Sequence, residues 1–78
     1  MSTSVVERTP LASDVSFTAD EIVVSLVDGR RLAVPLVWFP RLEKATPAQL
    51  TNYELKGDGV GIHWPELDED LSVEGLLR

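Results

Sequence analysis

Glu21-Ile22-Val23-Val24-Ser25-Leu26-Val27-Asp28-Gly29-Arg30-Arg31-Leu32-Ala33-Val34-Pro35 is the stretch whose reading decides the fold. Apolar side chains at 22, 24 and 26 recur at period two, the mark of a half-buried strand. Asp28-Gly29 then reverses the chain, and two registers compete. A two-residue loop pairs Val27 with Arg30 and sets Leu32 opposite Ser25. A three-residue loop, Val27-Asp28-Gly29, pairs Leu26 with Arg30, Val24 with Leu32 and Ile22 with Val34. Only the second gathers all five apolar residues on one face, and a one-residue slip would send each to the other side. It also puts glycine third in the loop, where a left-handed residue completes a type I turn with a bulge. Pro35 has no N–H to donate and ends the hairpin.

Working outward, Val15 and Phe17 alternate with Ser16 and Thr18, which reads as a preceding strand. A turn at Ala19-Asp20 pairs Phe17 with Ile22 and Val15 with Val24. Residues 1–12 are polar, carry Pro10 and show no period, so they read as a mobile leader to a single domain over 13–78. After Pro35, the apolar residues at 38, 39 and 42 fit a helix face, with Pro40 in its first turn. Thr46-Pro47-Ala48-Gln49 is a strong helix start: threonine as N-cap, proline at the first helical position, glutamine at the third. Tyr53 and Leu55, then Val60, Ile62 and Trp64, alternate around Gly57-Asp58-Gly59. Pairing Leu55 with Val60 and Tyr53 with Ile62 gives a second hairpin with one apolar face and His63 on the other. The expectation is an α+β fold: a small antiparallel sheet of two hairpins plus an N-terminal strand, with two short helices on one face.

Composition narrows function. Seventy-eight residues give one thin core and a stability of about 4–12 kcal/mol. Seven basic and thirteen acidic residues leave a net charge of −6, which repels a phosphate backbone, so no direct nucleic-acid binding is expected. No cysteine is present, in keeping with a reducing cytoplasm. No apolar run approaches membrane-span length, and no signal-peptide core follows Met1.

Chemistry-bearing residues concentrate in the last quarter. Glu66, Asp68, Glu69 and Asp70 beside His63 could offer oxygen ligands to a hard cation, but they lack the spread and central glycine of a calcium loop. The simpler reading is a solvated loop before a short helix near Val73–Leu77, with Asp70 or Ser72 as cap. His63 is the side chain suited to general-base work near neutral pH, yet no nucleophile motif accompanies it. An imidazole bonding a carboxylate or a carbonyl explains it more simply. Trp38, Phe39 and Trp64 suit either a core or a contact surface beside Pro40 or Pro65. Trp38, Phe39, Pro40, His63, Trp64, Asp68 and Asp70 are the candidate interaction residues. No catalytic residue, metal or cofactor is assigned.

The run Ile62-His63-Trp64-Pro65-Glu66-Leu67-Asp68-Glu69-Asp70-Leu71-Ser72-Val73-Glu74-Gly75-Leu76-Leu77, with Asp28-Gly29 and Trp38-Phe39-Pro40-Arg41-Leu42, resembles the small prokaryotic family called domain of unknown function 2442. The resemblance spans roughly Asp14 to Leu77. It implies small bacterial proteins without an assigned enzyme activity, some resembling toxin–antitoxin components. Longer relatives append a helix-turn-helix domain; this sequence ends at Arg78 without one, so a direct DNA-regulator role is not expected. The function anticipated is a non-enzymatic protein-interaction module, the acidic member of a small two-protein system with a small, basic partner. The alternatives are a regulatory module associated with DNA-binding proteins and a metal or enzymatic site around His63.

Overall fold

The computed structural model describes residues 10–77. Six strands and three short helices run in the order β1 (Ala12–Phe17), β2 (Glu21–Leu26), β3 (Arg31–Pro35), α1 (Pro40–Glu43), α2 (Pro47–Thr51), β4 (Glu54–Lys56), β5 (Gly61–Trp64), β6 (Glu69–Ser72) and α3 (Val73–Leu76). The class is α+β, and the strands divide into two antiparallel three-stranded sheets, β1-β2-β3 and β4-β5-β6.

The first sheet follows the apolar pattern. Phe17 faces Ile22 and Val15 faces Val24; Ile22 faces Val34 and Val24 faces Leu32. The Leu26 N–H reaches the Arg30 carbonyl at 2.8 Å, which closes the three-residue loop. Gly29 takes φ +97°, as that loop requires. Ile22, Val24, Leu26 and Val34 are buried, Leu32 is half-buried and Ala33 is exposed. Asp28 fixes the tip: its carboxylate accepts the Arg30 backbone N–H at 3.0 Å and the Arg30 Nε–H at 2.8 Å. The first of these bonds, reinforced by the guanidinium, holds the Asp28 carboxyl below the ordinary carboxylate range. A Cβ on Gly29 would meet nothing within 4 Å, so only backbone strain opposes a side chain there. Gly29→Ala is therefore expected to lower stability by about 1 kcal/mol in a urea titration, with no change in the unfolding slope. An unchanged midpoint would contradict the left-handed turn.

Residues 1–9 of the expected leader lie outside the described residues. Leu11 and Ala12 do not behave as leader. Ala12 opens β1 with only 3% of its surface exposed, and the Leu11 carbonyl accepts the Val27 N–H at 2.9 Å. A bulge between Ala12 and Asp14 restores the register across this polar stretch, and it conceals the strand from a period-two reading.

Both expected helices form. Pro40 starts α1, and Leu42 enters the core with no exposed surface. Thr46 caps α2 with a complete capping box: the Gln49 N–H donates to Thr46 Oγ1, and the Thr46 N–H donates to Gln49 Oε1. Before α1, Leu36–Trp38 forms a single 3-10 turn.

The second sheet departs from the expected pairing in two respects. Leu55 pairs with Ile62 and Lys56 with Gly61. Compared with Leu55 opposite Val60, the loop has slid one position along the chain. Gly57, Asp58 and Gly59 all take positive φ, and this backbone shape consumes Val60 in the turn. The slide preserves the apolar face of the hairpin, but Val60 becomes exposed and its carbonyl instead takes the Val73 N–H at 3.0 Å. Tyr53 falls outside the ladder. The second departure is β6, a strand where a loop was expected; it pairs Trp64 with Glu69, His63 with Asp70 and Ile62 with Leu71.

One core joins the parts. Val15, Ile22, Val24 and Leu26 from the first sheet meet Leu42, Ile62, Trp64 and Val73. Tyr53 stitches the sheets at their margin: its hydroxyl donates to Asp14 Oδ1 at 3.1 Å and accepts the Val15 N–H at 3.2 Å. Burial and the Asp14 carboxylate push the Tyr53 hydroxyl above its ordinary pKa.

Candidate interaction surface

The two tryptophans have opposite environments. Trp64 is fully buried, its indole N–H donating to the Leu50 carbonyl at 2.9 Å and Tyr53 tilted against it at 6.4 Å. This tryptophan is core, and it fixes α2 against β5. Trp38 is 63% exposed, and its neighbour Val37 is 62% exposed. Phe39 is half-buried against the core, and Pro40 is exposed at the start of α1. The helix-face reading of 38, 39 and 42 fails at Trp38, because the chain makes a 3-10 turn there before α1 begins.

Arg41 brings the two sequence motifs together. Its Nη1–H donates to the Asp68 carbonyl at 2.7 Å and lies 3.7 Å from Glu69 Oε1. Asp68 takes φ +52° in the turn between β5 and β6. Trp38-Phe39-Pro40 is thereby held on a segment tied after it by Arg41 and the buried Leu42 and before it by the buried Leu36. In the sequence Arg41 stands out only as part of the Trp38–Leu42 motif; nothing in its spacing from residue 68 signals the contact.

The acidic run does not converge on one point. Glu66 accepts from Asn52 Nδ2 at 3.1 Å, Glu69 lies by Arg41, and Asp70 Oδ1 is 2.6 Å from His63 Nδ1. The expected loop of carboxylates facing a helix start is replaced by a turn and a strand, and Ser72 is the cap of α3, with Oγ accepting the Gly75 N–H. Among the described residues no group of three or more His, Cys, Asp or Glu side chains is placed to hold a metal ion.

His63 meets a carboxylate, Asp70, one of the partners anticipated for it. Register puts Glu54, His63 and Asp70 in one row across the second sheet, on the face opposite Ile62. Lys56 pairs with Glu54 at 3.0 Å, and this bond, with a smaller contribution from His63, draws the Glu54 carboxyl below its ordinary range.

The family described as protein of unknown function (DUF2442) matches residues 12–78. The chain belongs to this family. A Rhodospirillum rubrum ATCC 11170 protein of unknown function, solved by crystallography, is 35% identical and superposes with a TM-score of 0.77 over 90% of this chain and 87% of its own. An uncharacterised Chromobacterium violaceum protein, solved by solution NMR, is 30% identical with a TM-score of 0.72. That alignment covers 86% of the present chain but only 63% of the relative. No curated protein matches. Family membership thus fixes the fold without assigning an activity, and among the described residues no helix is long and apolar enough to cross a membrane.

Proposed function

We propose that this family member is a non-enzymatic interaction module whose contact surface centres on Trp38 and Val37. The observation that carries the reading is the exposure of Trp38 on a short, anchored turn while Trp64 supplies the core. An indole carries 150–250 Å² of surface, and rigidly presented tryptophans recur among the residues that dominate binding energy. With a net charge of −6, the complementary partner is a small, basic protein. A two-protein arrangement of the toxin–antitoxin kind, in the cytoplasm, suits these properties, with this chain as the acidic member.

Affinity capture from the native host tests the proposal. The wild-type chain is expected to retain a small basic protein. Trp38→Ala should weaken that complex by roughly thirtyfold, the loss of a typical hot spot. Its own unfolding midpoint should change little, since an exposed side chain contributes little to the fold. Capture of nothing, or capture indifferent to Trp38→Ala, would remove the reading.

A further inference from the structure

A second feature deepens the interaction-module reading, on which it rests, and lies apart from Trp38. An apolar groove of about 440 Å³ runs between the end of β1 and α2. One wall is the consecutive stretch Val15–Thr18 and the other is Pro47, Leu50 and Thr51. Side chains of a strand alternate between faces, so four successive residues can line one groove only along the strand's edge.

β1 is an edge strand, with β2 on its other side. The hydrogen-bond phase shows which backbone groups are free. The Thr18 N–H bonds the Glu21 carbonyl, so Thr18 and Ser16 point toward β2. Val15 and Phe17 therefore point outward. The outward Val15 N–H meets the Tyr53 hydroxyl, which confirms the phase. By this phase the Phe17 N–H and the carbonyls of Val15 and Phe17 face the groove, with no partner among the described residues. A slot with three backbone groups along one side and Leu50 and Pro47 along the other has the two elements of strand addition, a hydrogen-bonding edge and an apolar wall.

Charge selects the occupant. Asp14 lies just before the groove wall and Asp20 just after it, and among the described residues no Lys or Arg lines the groove. We infer that the β1 edge accepts an extended segment of a partner protein, with apolar side chains at alternate positions and Lys or Arg at its ends. The ladder is about 13 Å long, so the segment contributes about four to six residues. The residue opposite Phe17 shares its face of the sheet and packs toward Leu50. A second copy of this chain fits less well, because antiparallel β1 edges would bring two chains of charge −6 together.

The test titrates the full chain by NMR with an acetylated heptapeptide, Lys-Val-Thr-Val-Thr-Val-Lys. A Kd of roughly 10–100 μM is expected, since the contact is far smaller than a standard interface. Amide shifts should concentrate at Ser16–Thr18 and at Leu50 and Thr51. Replacing both peptide lysines by glutamate, or the central valine by proline, should weaken binding at least tenfold. Thr51→Arg, at an exposed position, should do the same without loss of fold, and Asp20→Lys should weaken the basic peptide about two- to fivefold at low salt. Absence of binding, shifts elsewhere, equal binding of the glutamate peptide, indifference to Thr51→Arg, or protection of Phe17 by self-association would each overturn the assignment. Trp38→Ala should leave this peptide's affinity unchanged. Failure here alongside Trp38-dependent capture removes the groove and spares the module's proposed function.

Discussion

Replacing Gly59 with alanine is expected to destabilise the fold by about 3 kcal/mol or more, a large share of the roughly 4–12 kcal/mol available to a chain of this size. Two costs coincide. Gly59 takes φ +110°, well outside the left-handed well that alanine tolerates. A Cβ there would also collide with the Ala12 backbone, overlapping its carbonyl oxygen and lying 2.8 Å from its nitrogen. Backbone cannot turn aside as a side-chain tip can, and Ala12 is held in β1 with its own side chain buried. Gly57 is the internal control. Its φ is +55°, and a Cβ there would come within 2.8 Å of Val60 Cγ2, an exposed side chain that can turn aside, so Gly57→Ala should cost about 1–2 kcal/mol. Urea unfolding followed by circular dichroism separates the two. Equal midpoints for the two variants would mean that β1 is not seated on the β4–β5 loop.

Trp64→Ala is expected to remove cooperative folding. Deleting a fully buried large aromatic costs about 3–5 kcal/mol, and here it also frees the Leu50 carbonyl from its indole donor. Trp64→Phe keeps most of the ring volume and isolates the bond. It should lose about 1–3 kcal/mol, the cost of leaving a carbonyl without its partner, plus a small packing term. Amide exchange gives the localised readout: Trp64→Phe should accelerate exchange in α2 more than in β2. Uniform acceleration, or a Trp64→Ala variant with a wild-type midpoint, would contradict the role of Trp64 in fixing α2 to β5.

The first three strands are legible because two independent signals agree. The apolar alternation of Ile22, Val24 and Leu26 specifies a face, and Asp28-Gly29 specifies the loop that preserves it. Thr46-Pro47-Ala48-Gln49 is legible for a similar reason, since the capping bonds are local to four residues. Glu69-Asp70-Leu71-Ser72 offers no such agreement. It has one apolar side chain, and it becomes a strand because β5 presents a backbone edge to it. In the second hairpin, gathering Val60 into the apolar face favours pairing it with Leu55, whereas Leu55 pairs two residues further on, with Ile62. The three positive-φ residues before it left Val60 in the turn, where its carbonyl serves α3.

The candidate surface was half legible. Trp38 and Trp64 both stand out in the sequence, but alternation and helix spacing do not distinguish a core aromatic from a presented one. Their separation follows from contacts made far along the chain, Trp64 with Leu50 and Arg41 with Asp68. The groove beside β1 was not legible at all, because its walls lie about thirty residues apart and meet only in the folded chain.

The contrasting burial of the two indoles gives the chain an internal pair of optical reporters. Emission from Trp64 originates in a dry site and shifts to the red when water reaches it, so it follows the core. Trp38 is already in water, and a soluble quencher such as iodide extinguishes it selectively in the native state. A partner that covers Trp38 would shield it from the quencher without altering the Trp64 spectrum, whereas loss of the fold would move Trp64 first. Binding and unfolding thus leave separate spectral marks on one unlabelled polypeptide.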